Sequence, residues 1–275
     1  MNRFELHCHS FYSIGKKIPC HGVPSPEDVI KQAKRIGLHG VALTDHDSAK
    51  GWKRAREEAK KQGLIFIPAI EVSTKQGHII ALGLTEPVKS WRHVEETVDA
   101  VHEQGAIVIG DHPYDIHEDG IRDWVKITDA VEIFNALSLD RISNRIADKK
   151  AHEFGMPTVV GSDAHTIDTL GYAVNIMDAE NVSQVLKAIK QDKVKFERKY
   201  IPVSSLVDWT RERFVNSYFE ILDYVRKNYS RPKAWLCERL LDEFIRSRSR
   251  FWYKLGEFGV DCTKVYGRVK LFRYY

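Results

Sequence analysis

Alternation of strand-like and helix-like segments over the first 200 residues predicts a parallel α/β sheet, followed by a basic, mainly helical extension over residues 201–275. Three observations carry this. Short β-branched or aliphatic runs alternate with stretches whose apolar residues recur at three- and four-residue spacing. Histidines and carboxylates fall at or just beyond the ends of the apolar runs. The composition then shifts after Ile201-Pro202: residues 201–275 hold 15 Lys or Arg against 9 Asp or Glu, while the first 200 hold 27 against 29. Periodicity leaves a closed barrel and an open doubly wound sheet equally available. In both, the C-terminal ends of the strands carry the site.

The strand candidates are residues 4–7, 40–44, 65–69, 78–84, 106–110, 130–134 and 157–161. The first helix is predicted over residues 26–36, with Ser25 as N-cap, Pro26 at the first helical position and Gly37 as the stop. Residues 52–62, 91–103, 139–154 and 182–191 read as helices by the same spacing. Beyond Pro202 the aromatic-rich stretches 204–228 and 231–256 read as two helices separated by Ser230-Arg231-Pro232. Residues 266–275 alternate enough to suggest a short strand.

The chain has 275 residues, 43% of them hydrophobic and 29% charged, with a net charge of +4, as expected of an ordinary water-exposed fold with a full core. No run of eighteen apolar residues predicts a membrane span, and the N-terminus shows no signal-like apolar region, so a cytoplasmic location is expected. Cys8, Cys20, Cys237 and Cys262 lack close paired spacing and are expected to be reduced thiols. Cys8 lies between His7 and His9, so on a strand its side chain faces away from both imidazoles.

Five segments carry the chemistry. His7-Cys8-His9 puts two imidazoles on one strand face. Thr44-Asp45-His46-Asp47 follows an apolar run, as does Glu71, with His78 seven residues later. His112-Pro113 follows Ile107-Val108-Ile109, and Gly161-Ser162-Asp163-Ala164-His165 ends the last strand candidate. Any one histidine could be structural. Five such segments at strand ends point to a cluster of divalent ions, because buried carboxylates and imidazoles need partners and adjacent ions need ligands from several strands.

The ordered set His-x-His, Thr-Asp-His, Glu-Val-Ser with a later His, His-Pro and Gly-Ser-Asp-Ala-His resembles the polymerase and histidinol phosphatase (PHP) superfamily over roughly residues 3 to 175. The resemblance implies a distorted seven-stranded (β/α)7 barrel holding two or three divalent metal ions (Zn, Mn or Fe). Carried over by position, His7, His9, Glu71 and Asp163 would hold the first ion. Glu71 would bridge to a second ion completed by His78 and His112, and His46 and His165 would serve a third. Asp45 is the candidate catalytic residue, as an orienting carboxylate. Ile14 stands where the family often has an acidic residue or histidine, and His21 is the candidate to take its place. Lys16, His21, Asn135 and Arg145 are the candidate substrate contacts, and Asp115 and His117 candidate mouth residues.

These features imply a phosphoesterase that hydrolyses a phosphomonoester or phosphodiester, of a nucleotide or nucleic-acid end, by attack of a metal-bridging hydroxide. A phosphatase of the histidinol-phosphatase type and a non-catalytic PHP scaffold or nucleic-acid-binding module are the alternatives. The expected partner is a phosphorylated small molecule or nucleotide. The basic aromatic extension is a further candidate surface for nucleic acid, with Arg246, Arg248 and Arg250 as its exposed patch, although aromatics at helical spacing also pack as core.

Overall fold

The computed structural model describes residues 1–15 and 18–274. The α/β part runs β1 (Asn2–Cys8), α1 (Pro26–Arg35), β2 (Gly40–Leu43), α2 (Trp52–Gln62), β3 (Ile65–Ser73), β4 (His78–Leu82), α3 (Val94–His102), β5 (Ile107–Gly110), β6 (Ala130–Asn135), α4 (Ile142–Phe154), β7 (Thr158–Gly161), β8 (Ala173–Met177), α5 (Val182–Lys190) and β9 (Lys195–Arg198). Four helices follow: α6 (Val203–Asn216), α7 (Tyr218–Asn228), α8 (Arg231–Arg246) and α9 (Arg250–Lys270). The α1 boundaries follow from local chemistry. The Ser25 hydroxyl accepts the Asp28 N–H, Pro26 opens the helix, and Val29, Ile30 and Ala33 form its buried face.

The sheet holds nine strands in the order β7-β6-β5-β4-β3-β2-β1-β8-β9. The expected count of seven is therefore corrected: all seven expected strands are present, and β8 and β9 are added. Nor is the sheet wholly parallel. β3–β4, β4–β5, β1–β8 and β8–β9 pair antiparallel, while β1–β2, β2–β3, β5–β6 and β6–β7 pair parallel. The short return between β3 and β4 forces the antiparallel pairing, since a parallel partner needs a long crossover.

The sheet curls until its ends nearly meet. Just beyond β7, Ala164 bridges Cys8 of β1 in parallel, and the His9 N–H donates to Ala164 O at 2.8 Å. The Asn175 side chain of β8 donates to Val160 O at 2.7 Å and accepts the Val160 N–H at 3.0 Å, so one amide group takes the place of a strand rung. Phe4, Leu6, Ala42, Ile67, Ile80 and Ile109 fill the interior, with Val185 and Ile189 of α5 packed against them. A second core lies outside the strands, where Val41, Leu43 and Val131 meet Val29, Ile30 and Ala55.

Two register shifts decide which side chains face inward. On β1, Glu5 lies opposite Val41 but Cys8 lies opposite Leu43, so three steps on β1 match two on β2. Leu6 therefore joins the interior cluster, His7 points inward above it, and Cys8 packs in the outer core. On β6 the shift lies between Glu132 and Phe134. Ile133 and Phe134 both join the outer core, and the bulge leaves Glu132 and Asn135 among the buried site residues. Bulges re-aim side chains in this way, often beside functional sites.

The C-terminal segment departs from expectation. It forms four helices rather than two, with breaks near Ser217, Ser230 and Ser247–Ser249. Residues 266–274 are not a strand, Tyr275 lying outside the described residues: α9 continues through Lys270 and ends in a short 3-10 turn over Phe272–Tyr274. Gly267 abuts Asp140, where an added Cβ would lie 2.6 Å from the Asp140 Cβ, and Leu271 packs with Tyr114 and Ile146. That docking fixes a helical end where alternation alone suggested a strand. Among the described residues no helix is long and apolar enough to cross a membrane.

Candidate metal centre

Glu71, at the rim end of β3, lies at the middle of the site. Its Oε2 lies 3.1 Å from His46 Nδ1, 3.3 Å from His9 Nε2 and 3.5 Å from His7 Nε2. Its Oε1 lies 2.9 Å from His78 Nδ1 and 3.3 Å from His112 Nε2. One buried carboxylate thus faces five imidazoles. Asp163, following β7, is the second centre: its Oδ1 is 3.1 Å from His9 Nε2 and 3.5 Å from both His7 Nε2 and His165 Nδ1. All eight residues expected to ligate metal converge here.

Their grouping differs in part from the expected one. Ligand atoms of His7, His9 and Asp163 lie within 4.8 Å of one another, as do those of His46, Glu71 and His78, of His9, His46 and His165, and of His7, Glu71, Asp111 and His112. His9 therefore also reaches the His46–His165 pair, and His46 also reaches the Glu71–His78 pair. His112 and Asp163 adopt left-handed backbone, at φ 25° and φ 50°. Such strain persists at sites whose surroundings over-determine it.

The donor set fits a cationic group. His7 Nε2, Glu71 Oε2, both Asp111 oxygens and His112 Nδ1 are buried without a hydrogen-bond partner among the described residues. Burial would raise the Glu71 pKa, yet the facing imidazoles of His46, His112, His7 and His78 outweigh it and hold it well below the usual range. Asp163 is held low against burial in the same way by His7, His165 and His9. Burial and the nearby imidazoles of His21 and His9 lower the His165 pKa, and burial lowers that of His46 despite Glu71, whereas at His7, His78 and His112 burial is outweighed by the facing carboxylates, which raise it. The ionised carboxylates of Glu71 and Asp163 are in the form that ligates metal, and imidazoles whose pKa is raised in this way would give up a proton on binding one.

Asp45 requires correction. Among the described residues its carboxylate makes no hydrogen bond or ion pair with an imidazole. It accepts the Ser10 N–H at 2.6 Å and the Ser10 hydroxyl at 2.7 Å, fixing the loop after His9. The carboxylate that orients an imidazole, that of His7, is Glu132, which the sequence reading missed. Its Oε1 lies 2.9 Å from His7 Nδ1, and its Oε2 accepts the His112 N–H at 2.9 Å and the Asn135 amide at 3.1 Å. Gly161 makes room for it, since a Cβ there would come within 1.9 Å of Glu132 Oε1. A lone acid within Ala-Val-Glu-Ile-Phe was the available signal. Asp111, buried with its Oδ2 3.3 Å from His112 Nε2, was missed as well.

Among the expected substrate contacts, Asn135 donates to Asp163 Oδ2 at 3.1 Å and belongs to the ligand scaffold. His21 joins the site, its Nδ1 3.0 Å from His165 Nε2, while Ile14 stands 65% exposed nearby. Burial, His9 and Arg213 lower the His21 pKa to about 4. Arg145 is corrected: it is exposed on α4, whose buried face is Ser143, Asn144, Ile146, Ala147 and Ala151, and it does not line the cavity above the site. Lys16 lies outside the described residues. Asp115 and His117 line that cavity, as expected.

Helix α6 reaches the same place. Its Trp209 indole N–H donates to His21 O at 3.0 Å, and its ring centre lies 4.5 Å from that of His165. Arg213 Nε donates to Cys20 O at 2.9 Å, and Ser217, just past the helix end, accepts the Cys20 N–H at 2.9 Å. The helical extension thus holds the loop that carries His21. Aromatic spacing suggested packing for Trp209, but not packing against these imidazoles.

A family model described as PHP-associated matches residues 141–194. Over 153 residues the chain is 37% identical to an uncharacterized protein of Methanocaldococcus jannaschii, covering 53% of this chain and 89% of that one. It is 32% identical over 113 residues to a 5'-3' exoribonuclease of Haemophilus influenzae, covering 40% of this chain and 39% of that one. Among solved structures, a two-domain protein of Bacteroides vulgatus, described as containing a PHP-like metal-dependent phosphoesterase, shares the fold. The TM-score is 0.58 at 18% identity, covering 78% of this chain and 69% of that one. The five motifs and these relatives lead to the same place: the chain belongs to the polymerase and histidinol phosphatase (PHP) superfamily.

Proposed function

We propose that this chain is a metal-dependent phosphoesterase that hydrolyses a phosphomonoester or phosphodiester. The observation that carries the reading is Glu71, one buried carboxylate shared among five imidazoles, with unpaired ligand atoms around it. Divalent ions bound to these side chains would supply Lewis acidity, acidifying water and neutralising charge on the phosphoryl oxygens. Glu132 fixes the His7 ring, Asn135 fixes Asp163, and Trp209 backs His165.

The side chains nearest the rim are poor covalent nucleophiles. Ser13 Oγ faces His9 Nδ1 at 2.9 Å but is fully buried, and Ser10 Oγ is committed to Asp45. Burial pushes the Cys8 thiol well up, and the side chain faces the outer core. Direct attack by water is the chemistry these residues leave open.

A nucleotide or nucleic-acid end as the organic part is supported by the name of the exoribonuclease relative, of which this chain spans about two fifths. Metal analysis with a 4-nitrophenyl phosphate assay in manganese tests the activity. At least one ion per chain is expected, with turnover lost on Glu71→Gln or Asp163→Asn. Less than one ion per chain, together with no turnover, would leave the non-catalytic scaffold.

A further inference from the structure

Above the metal-ligand rim lies a cavity of about 1350 Å³, roofed by α6–α9. Its two sides differ. The floor is the rim itself, with His46, Glu71, His78, His112, Asp163 and His165. The roof is apolar: Leu206, Phe214, Leu241, Phe244, Trp252 and Val260 face the same space. A hydrolytic site acting on a small polar phosphate has no physical need of such a wall, because apolar surface facing a partly open cavity is favourable only when something apolar covers it.

The charge of the lining narrows the occupant further. Among the described residues, Arg213 is the one Lys or Arg that lines the cavity. Its Nε is held by Cys20 O, its guanidinium lies 4.9 Å from the Trp209 ring centre, and it has no carboxylate partner among the described residues. Against it stand Asp47, Asp115, Asp119 and Asp140, none of them in the expected ligand set. A polyanion needs roughly one cation for each phosphate it contacts. The exposed arginines Arg246, Arg248 and Arg250 do not line this space. Among the described residues the lining charge suits one phosphoryl group rather than a chain of them.

We propose that the substrate is a phosphate ester with a single phosphoryl group and a large apolar organic group, which the chamber between the rim and α6–α9 encloses. This rests on the phosphoesterase reading and narrows its substrate away from polynucleotides. The phosphoryl group lies at the rim beside Arg213. The organic group extends under the helical roof.

The test uses the full chain in manganese with phenyl, 4-butylphenyl and 4-octylphenyl phosphate below their micelle concentrations. The leaving group is then electronically nearly constant and only the apolar part grows. Each enclosed methylene should raise kcat/KM by about threefold to fourfold, so even if only about four of the eight octyl carbons are enclosed the octyl ester should exceed the phenyl ester by about a hundredfold. AMP and a 5'-phosphorylated oligonucleotide should be slower than the octyl ester.

Gly259→Trp fills the chamber from a helical position where an added Cβ meets nothing within 4 Å. Leu255→Glu places a charge on a lining residue that is already 47% exposed, so neither variant disturbs a packed core. Both should bring the octyl-to-phenyl ratio towards one. A ratio within twofold in the unaltered chain, or a preference for the oligonucleotide, overturns the chamber while the phosphoesterase reading stands. If no ester is turned over, the phosphoesterase reading fails and the chamber is judged by binding alone. Quenching of the tryptophan fluorescence by the octyl ester at least a hundredfold below the phenyl ester's concentration would then support it, and equal concentrations would overturn it.

Discussion

Replacing Glu132 with Gln tests whether this carboxylate, rather than Asp45, governs the geometry of the site. The carboxylate accepts from His7 Nδ1 at 2.9 Å through one oxygen, and from the His112 N–H at 2.9 Å and Asn135 at 3.1 Å through the other. Glutamine keeps the shape but offers one oxygen and one donating amide. If the oxygen faces His7, the amide meets the His112 N–H, and if it faces His112, the His7 ring loses its acceptor. Orphaning one buried donor costs about 1–2 kcal/mol, and losing the charge on the remaining bond costs about 1 more. The total of about 2–3 kcal/mol corresponds to roughly 30- to 150-fold weaker metal binding, in the range known for partners of ligating histidines. Calorimetric titration of manganese into chelator-treated protein measures the affinity, kcat/KM for 4-nitrophenyl phosphate measures the consequence, and a thermal melt checks that the variant folds. A folded variant with affinity within twofold of the unaltered chain would refute the orienting role.

Three further outcomes follow from the same geometry. Gly161→Ala places a Cβ 1.9 Å from Glu132 Oε1 and 2.7 Å from the His7 Cβ. It should destabilise by about 1–3 kcal/mol and lower metal content, read by melting and elemental analysis. Trp209→Ala removes the indole bond to His21 O and the ring against His165. It should cost about 3 kcal/mol and lower the metal count at the His46–His165 side before the Glu71–His78 side, read by stoichiometry against metal concentration. The His21 pKa is lowered from 6.5 to about 4, first by burial and then by His9 and Arg213, so its folded form binds fewer protons than the unfolded chain. Its contribution, about 3 kcal/mol, is present above pH 6.5 and lost as pH falls towards 4. Denaturant titrations of metal-free protein at pH 7.5, 6, 5 and 4 should show that loss, and His21→Asn should lessen it by about that amount, the remainder belonging to His46 and His165, which are lowered too.

The ligand types were legible in the sequence because most sit where an apolar run stops, as at Glu71 after Phe66-Ile67-Pro68-Ala69-Ile70 and His112 after Ile107-Val108-Ile109, while His78 opens one. The strands so marked are buried on both faces, and their runs stand out from the amphipathic helices. The strands that escaped lack this mark. β9 reads Lys-Phe-Glu-Arg and is largely exposed, and β8 carries Asn175 in its middle, where the side chain closes the barrel onto Val160. Arg145 misled because a cation on the helix after a strand end can point either way, and here the buried stripe of α4 turns it outward.

What the sequence determined alone was the set of donors, their order and their position at strand ends, because burial and period are local properties of a segment. Only the tertiary structure decided which of those side chains meet. The β1 and β6 bulges turn His7, Glu132 and Asn135 into the site. A bulge is a count of two residues against one on a partner strand, so no single strand records it. The same holds for Trp209 against His165 and Gly267 against Asp140: each contact joins segments far apart in the chain, and its energy exists only once both surfaces have been brought together.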